Sequence, residues 1–431
     1  MRPAGNVLAV TATAYLVALC LAIVAYKAVF VEMVLIDPFF AIYGLTVCGY
    51  ILSRFLLSLF YRPGKGREAE HEPTVAVVMP AFNEEDAIAR SVHSLLDVDY
   101  PHDRLEVIVV DDGSTDGTAE EIERVAAQAG DRVHVISFGE NRGKRAAMAA
   151  GMRATDAEIL AFVDSDSMLE EDALRTLVQG FADPDVGAIC GHADVQNTRE
   201  SWLTRMQAVR YFVAFRVLKA AESIFNAVTC CSGCFAAYRA EAILPHLGEW
   251  EHQRFLGRPA TFGDDRSLTN FVLRDWKVRY DSEARSHTIV PSSFQKFLTQ
   301  QMRWKRSWTR ESLIVGGFIW RKHPIASIST YVSIVLPLLA PIVVARALWW
   351  RPVVEDAGAP FIYLLGIYVL ALVYGLYYAI RTRRYDDTLW VYGVIFVFFY
   401  LVFLVWQTYW AVLTANRSTW GTRPSTHGAQ A

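Results

Sequence analysis

Residues 105–114 read LEVIVVDDGS. Four β-branched residues, Val107 to Val110, run straight into two aspartates and a Gly–Ser turn, the pattern of a strand that ends at a polar loop. The same pattern recurs around it. TVAVVMP (74–80) comes before, RVHVISF (132–138) and AEILAFVDSDS (157–167) come after, and EIERVAAQAG (121–130) between them is helical and closes on Gly130. Strands that alternate with helices predict an α/β domain with a mostly parallel sheet. Ligands of such sheets sit beyond the carboxyl ends of the strands. The polar clusters fall at those ends: AFNEE (81–85), DDGSTDGT (111–118) and DSDS (164–167).

Outward from this core the chain turns apolar. Residues 7–29 and 38–60 are each long enough for a membrane-spanning helix. The first lacks the basic start and small-residue cleavage site of a signal peptide. YRPGKGREAEHEP (61–73) is a polar linker whose basic start suits a cytoplasmic flank. Three further apolar runs cover about 325–349, 360–380 and 388–413, with the basic RTRRYDD between the last two. Residues 201–225 and 294–320 mix apolar side chains with Arg and Lys at helical spacing. Each reads as an amphipathic interface helix, with a buried core helix as the alternative for 201–225. The expected domains are 1–64 (two spans and linker), 65–293 (catalytic), 294–324 (interface helix), 325–414 (C-terminal spans) and 415–431 (tail).

Of the 431 residues 53% are hydrophobic and the formal net charge is −3, which gives no basic footprint for nucleic acid. Mean hydropathy is +0.21, high for a soluble protein. The 6 cysteines show no paired spacing. CCSGC (230–234) has no second Cys/His pair nearby in sequence, so free thiols in a reducing compartment are expected rather than zinc.

Several short motifs suggest chemistry, and each has a plainer explanation. Asp164 and Asp166 alternate in an extended segment, so their carboxylates point to one side and suit Mg2+ or Mn2+ on a diphosphate. A solvated turn is the alternative. Asp112 follows a strand and can accept from a base N–H. NRGKR (141–145) offers Lys144 and Arg145 for phosphate charge. FGDDRSLTNFVL (262–273) places Asp264 and Asp265 ahead of a helix, where one suits a general base and the other a helix N-cap. QQMRWKRS (300–307) sets Trp304 among Arg303, Lys305 and Arg306, and an interfacial anchor is the plainer role for the tryptophan.

Taken in order, AFNEE, DDGSTDGT, NRGKR, DSDS, GDDR and QQMRW resemble the family 2 inverting glycosyltransferases of GT-A fold. More narrowly they are similar to the processive membrane synthases of cellulose, chitin and hyaluronan. FLGRPATFGDDRSLTN (255–270), QQMRWKRSWTRES (300–312) and WGTR (420–423) look closest to single-chain hyaluronan synthases, and the chitooligosaccharide synthases share much of this stretch. Ser267 stands where hyaluronan synthases usually carry His, and Cys234 where many relatives have Pro.

The resemblance implies a GT-A domain inserted between transmembrane segments. Uridine diphosphate would be held by Ala81, Asn83, Glu84, Asp112, Lys144, Gln300 and Arg303, and a divalent metal by Asp166 and Asp164. Asp265, beside Asp264, would be the base. Trp304 and Cys231 would meet the acceptor. Trp420, Thr422 and Arg423 would gate the site. A growing polysaccharide and the bilayer are the implied partners, with no nucleic acid, a monomeric enzyme, and a plasma-membrane, multi-pass location with the catalytic domain cytoplasmic. A non-processive lipid-phosphate transferase is a competing reading, which Gln300 to Trp304 disfavours.

Two spans before the catalytic domain and three after it would leave WGTR on the far side of the membrane. Either one apolar run re-enters or is broken, or WGTR does not gate. Pro337 and Pro341 mark one place for a break.

Overall fold

The structure, a computed structural model, describes residues 38–64, 71–354, 359–382 and 388–417. The first apolar run (7–29) and Trp420, Thr422 and Arg423 lie outside the described residues.

The chain forms two compact units, and the division cuts across the linear domains expected from the sequence. Of the described residues, one unit gathers 61–64, 71–197, 222–326 and 411–417. The other gathers 38–60, 198–221, 327–354, 359–382 and 388–410.

The first unit is built on an eight-stranded sheet: β1 (Val75–Ala81), β2 (Leu105–Asp111), β3 (Val133–Ser137), β4 (Ile159–Phe162), β5 (Ser167–Leu169), β6 (Val186–Val195), β7 (Ala236–Arg239) and β10 (Lys277–Thr288). Its order is β3-β2-β1-β4-β7-β6-β10-β5. β1 pairs in parallel with β2 and β4, β2 with β3, and β6 with β10. β7 and β5 run against their neighbours. The sheet is therefore mostly parallel, as the alternating pattern predicts. β1 is buried along its whole length because helices cover both faces, which is why it reads as an unbroken apolar run rather than an alternating one. The strand order reverses between β1 and β4, and ligands of such sheets bind at the carboxyl ends of the strands beside a reversal of this kind.

Three helices of this unit carry the expected site residues. The Lys144 helix (Lys144–Arg153) follows β3, the Asp264 helix (Asp264–Asp275) precedes β10, and the Phe294 helix (Phe294–Gly316) follows it. Ser293 caps the last of these by accepting from the Lys296 N–H at 3.3 Å. A small hairpin, β8 (Arg254–Phe255) with β9 (Arg258–Pro259), leads up to the Asp264 helix.

The other unit is helical. Pro38–Phe60 and Pro324–Val354 are each long and apolar enough to cross a membrane, and Leu389–Leu404 with Gln407–Leu413 makes a third such stretch bent by 49°. The run expected at 360–380 lies in the helix Ala359–Thr382. The break falls in the last apolar run and not at the prolines: Pro337 and Pro341 are inside the continuous helix Pro324–Ala345. The 201–225 segment is a core helix here. Val209, Phe212, Val213 and Val217 pack with Phe55, Val373, Tyr377 and Leu389, while Arg205 Nη1 donates to the Tyr392 hydroxyl at 3.1 Å.

Candidate active site

The expected polar clusters do converge at the sheet's carboxyl edge. Ala81 and Asp111 are partners in the last register position of β1 and β2. The loops beyond them are stapled together. The Asn83 N–H donates to Ser114 Oγ at 3.1 Å and its Oδ1 accepts from the Thr115 N–H at 2.8 Å. The Glu84 N–H donates to Thr118 Oγ1 at 2.7 Å. Asn83 holds φ at +54°, a left-handed conformation that Asn tolerates better than most residues. Ala81 itself is buried, and its carbonyl accepts from the Asp112 N–H at 2.9 Å.

Asp112 is also buried. Its carboxylate accepts from the Arg142 N–H at 2.7 Å, from the Gly143 N–H at 3.0 Å and from Asn141 Nδ2 at 3.1 Å. One carboxylate therefore fixes the turn that launches the Lys144 helix.

That helix sends neighbouring cations in different directions. Lys144 Nζ is bonded to Asp164 Oδ1. Burial acts to lower the lysine's pKa, but the Asp164 carboxylate outweighs it, with Asp264 and Asp265 adding to the pull, and the ammonium is held above its usual range. Arg145, expected beside Lys144 as a phosphate ligand, is instead buried. Its Nε donates to Asp264 Oδ1 at 2.9 Å and its Nη1 to the Trp250 carbonyl at 2.7 Å. Adjacent helical residues point about 100° apart, which separates the two roles.

Asp164 and Asp166 follow β4. Asp166 Oδ1 accepts from Ser167 Oγ at 3.3 Å and Thr288 Oγ1 at 3.4 Å. Burial, and then the negative charge of Asp164, push its pKa up to about 6. Gly233 lies against Asp164 so closely that a Cβ there would stand 2.9 Å from the carboxylate. Cys234 is buried beside the pair. Burial, then the charges of Asp164 and Asp166, raise its thiol pKa.

The chemistry of this donor set fits a divalent cation. Two like-charged carboxylates share a half-buried spot, and a lysine ammonium already sits on one of them. Among the described residues no group of three or more His, Cys, Asp or Glu could hold a metal ion. Remaining positions would then fall to diphosphate oxygens and water, the usual pattern for Mg2+.

The Asp264 helix starts at Gly263, with φ at +78° and no capping side chain. The N-cap role expected of one aspartate therefore belongs to this glycine. A Cβ there would stand 1.8 Å from Ser307 Oγ of the Phe294 helix, so only glycine fits the approach. Asp264 is taken up by Arg145, and the pair is 5% exposed on each side. Asp265 turns elsewhere. Its Oδ1 accepts from the Arg266 N–H at 2.7 Å and its Oδ2 from the Cys230 thiol at 3.7 Å.

Cys231, expected to face an acceptor, is fully buried, with its N–H on Thr269 Oγ1 at 2.9 Å. The half-buried Cys230 is the thiol that reaches Asp265. Ser267 is buried too and donates to Gln253 Oε1 at 2.8 Å, so this departure from the family pattern lies beneath the site.

Gln300, Arg303 and Trp304 are half-buried on the Phe294 helix. They share a face with Ser307 and Glu311, which are spaced one and two turns further on. Ser307 meets Gly263 and Glu311 accepts from Asn270 Nδ2 at 2.9 Å, so the shared face is the one turned to the Asp264 helix. Arg306 Nε donates to Thr414 Oγ1 at 3.0 Å. Burial, followed by the charge of Arg417, lowers its pKa. Gln253 lay in no motif, and Cys230, Asn270, Arg310 and Glu311 lay inside CCSGC, FGDDRSLTNFVL and QQMRWKRSWTRES with no role assigned to them.

Residues 76–244 match the family described as glycosyl transferase family 2. The chain is 33% identical over 387 residues to a hyaluronan synthase of Streptococcus pyogenes, covering 89% of this chain and 90% of that one. It is 37% identical over 244 residues to an N-acetylglucosaminyltransferase of Azorhizobium caulinodans, covering 56% of this chain and 61% of the relative. A solved mannosyltransferase from Pyrobaculum calidifontis, in complex with GDP-Man and Mn2+, shares the fold at a TM-score of 0.58 and 24% identity, over 84% of this chain and 99% of its own.

Proposed function

The chain belongs to the family 2 glycosyltransferases, among the hyaluronan synthases and their relatives, and from that premise we propose that it polymerises UDP-N-acetylglucosamine and UDP-glucuronic acid into hyaluronan. The enzyme is an inverting glycosyltransferase. The observation that carries the site assignment is the charge cluster around Lys144: its ammonium is bonded to Asp164 and feels Asp264 and Asp265. Cations for a diphosphate and a carboxylate for a hydroxyl proton thus lie in one unit.

In this reading the stapled Asn83–Glu84 and Asp112 loops bind uridine, and Lys144 meets the diphosphate. Asp164 and Asp166 would hold Mg2+ or Mn2+, which supplies Lewis-acid neutralisation of the departing diphosphate's charge. Asp265 takes the proton of the acceptor hydroxyl as that oxygen attacks C1 of the sugar from the face opposite UDP. One base suffices because no covalent sugar intermediate forms. Asp264, paired with Arg145, holds the start of the helix in place. Trp304 stacks under the acceptor pyranose, and Gln300 and Arg303 lie on the same face toward the diphosphate.

The apolar helices suit multi-pass insertion in the plasma membrane, with the catalytic unit cytoplasmic and a channel that lets a polar chain leave as it grows. The enzyme works as a monomer, with the lipid bilayer and the growing chain as its partners. The bend between Leu389–Leu404 and Gln407–Leu413, and the Arg306–Thr414 hydrogen bond just beyond it, support a last apolar run that turns back. Trp420, Thr422 and Arg423 would then be on the catalytic side, where they could gate.

The 37% identity to an N-acetylglucosaminyltransferase favours a second reading, a chitooligosaccharide-type synthase. Incubating the purified protein with each labelled donor alone and then with both separates the two. We expect long polymer only with both donors, degraded by hyaluronidase. Polymer from UDP-N-acetylglucosamine alone would establish the second reading instead.

A further inference from the structure

One side chain is shared by three elements of the catalytic unit. Gln253 stands at the base of the β8–β9 hairpin, where its carbonyl accepts from the Ala260 N–H at 2.9 Å. Its side-chain Oε1 accepts from Arg145 Nη1 at 3.0 Å and from Ser267 Oγ at 2.8 Å. Its Nε2 donates to Glu311 Oε1 at 3.4 Å. Arg145 follows Lys144, Ser267 lies two residues after Asp265, and Glu311 rides on the helix of Gln300, Arg303 and Trp304.

Each partner is buried and tied onward. Arg145 holds Asp264 at 2.9 Å. Glu311 Oε1 accepts from Arg310 Nε at 2.7 Å, and Arg310 Nη2 donates to the Phe262 carbonyl at 2.5 Å, immediately before Gly263. Only an amide serves this junction, because two donors need an acceptor while Glu311 needs a donor. A glutamate would set a second carboxylate against Glu311. A leucine would take one acceptor from Arg145 Nη1, which keeps the Trp250 carbonyl, and the acceptor of the Ser267 hydroxyl, in a network where such losses weigh most.

We infer that Gln253 is a positioning residue for sugar transfer: it keeps the diphosphate lysine, the base aspartate and the acceptor face of the Phe294 helix in one register. The inference rests on the roles proposed for Lys144, Asp265 and Trp304. It also gives Ser267 a task, as the hydroxyl that orients this amide.

The test uses the full chain in lipid nanodiscs and counts UDP released per sugar incorporated into polymer. That ratio does not depend on how much of the protein is folded. For Gln253→Leu we expect incorporation to fall about 10–100-fold, since misplacement by about 1 Å costs on that order. UDP released per sugar incorporated should at least double as water replaces the acceptor, with labelled UDP binding within about twofold of the parent. Ser267→Ala, a milder change, should shift the ratio in the same direction by less. An unchanged ratio in both variants, whatever the rates, overturns the inference. Asp265→Asn run alongside reports on the underlying reading separately, because near-normal transfer there removes the base assignment and not the junction.

Discussion

Two acidic pairs lie in the unit proposed to be catalytic, and they are built on opposite rules. Asp164 and Asp166 flank Ser165 in a turn after β4, closed by the Ser167 N–H on the Asp164 carbonyl at 2.9 Å rather than extended as the sequence suggested, and the charge of Asp164 adds to burial in pushing Asp166 up to about 6. Asp264 and Asp265 are adjacent on the first turn of a helix, so they diverge. Asp264 goes to Arg145 at 2.9 Å, and Asp265 to the Arg266 N–H and the Cys230 thiol. Spacing and local structure together decide whether an acidic pair acts as one site or divides its labour. The same rule separates Lys144 from Arg145.

The contrast can be broken most severely at the first pair. Asp166→Ala should weaken Mn2+ binding by more than about 100-fold, beyond the 10–100-fold typical of an outer-shell partner, and full polymer synthesis in excess chelator would refute a shared metal site. At the second pair the expected loss is in stability. Asp264→Ala strands Arg145, and breaking such a buried pair costs about 3–5 kcal/mol. Denaturant unfolding should show this for Asp264→Ala and far less for Asp265→Ala, so equal effects would mean the two residues are not divided.

A milder effect follows from acidity. Metal binds the ionised carboxylate, and the raised pKa of Asp166 means that its ionised form is lost as pH falls through about 6. Mn2+ affinity should therefore fall about tenfold between pH 7 and pH 5. A flat titration over that range would place the ion elsewhere. The smallest effect belongs to Arg306→Ala, which loses a single hydrogen bond to Thr414, about 0.5–1.5 kcal/mol. Use of UDP-glucuronic acid relative to UDP-N-acetylglucosamine should not change, and a selective loss would return Arg306 to the donor site.

The parts legible in the sequence were those written locally. β-branched runs ending in AFNEE, DDGS and DSDS placed the site at strand ends, because strand burial and turn chemistry act over a few residues. What stayed hidden depends on distant partners. Arg145 looks like a phosphate ligand until Asp264, 119 positions away, is seen to claim it. Gln253 meets Arg145 across 108 positions and Glu311 across 58, and no periodicity marks it. Cys231 and Cys230 differ only in which way an irregular segment turns its side chains. The prolines at 337 and 341 suggested a broken helix, yet the helix continues through both and the chain bends after Leu404 instead.

The division of labour between Asp264 and Asp265 is tested most directly by Asp265→Asn. The measurement is the single-turnover rate of sugar transfer together with labelled UDP affinity, on the same preparation. We expect transfer to fall by about 10²–10⁴, the worth of one general base, with UDP affinity within about twofold of the parent. Near-normal transfer, or a loss of UDP binding that matches the loss of rate, would contradict the assignment.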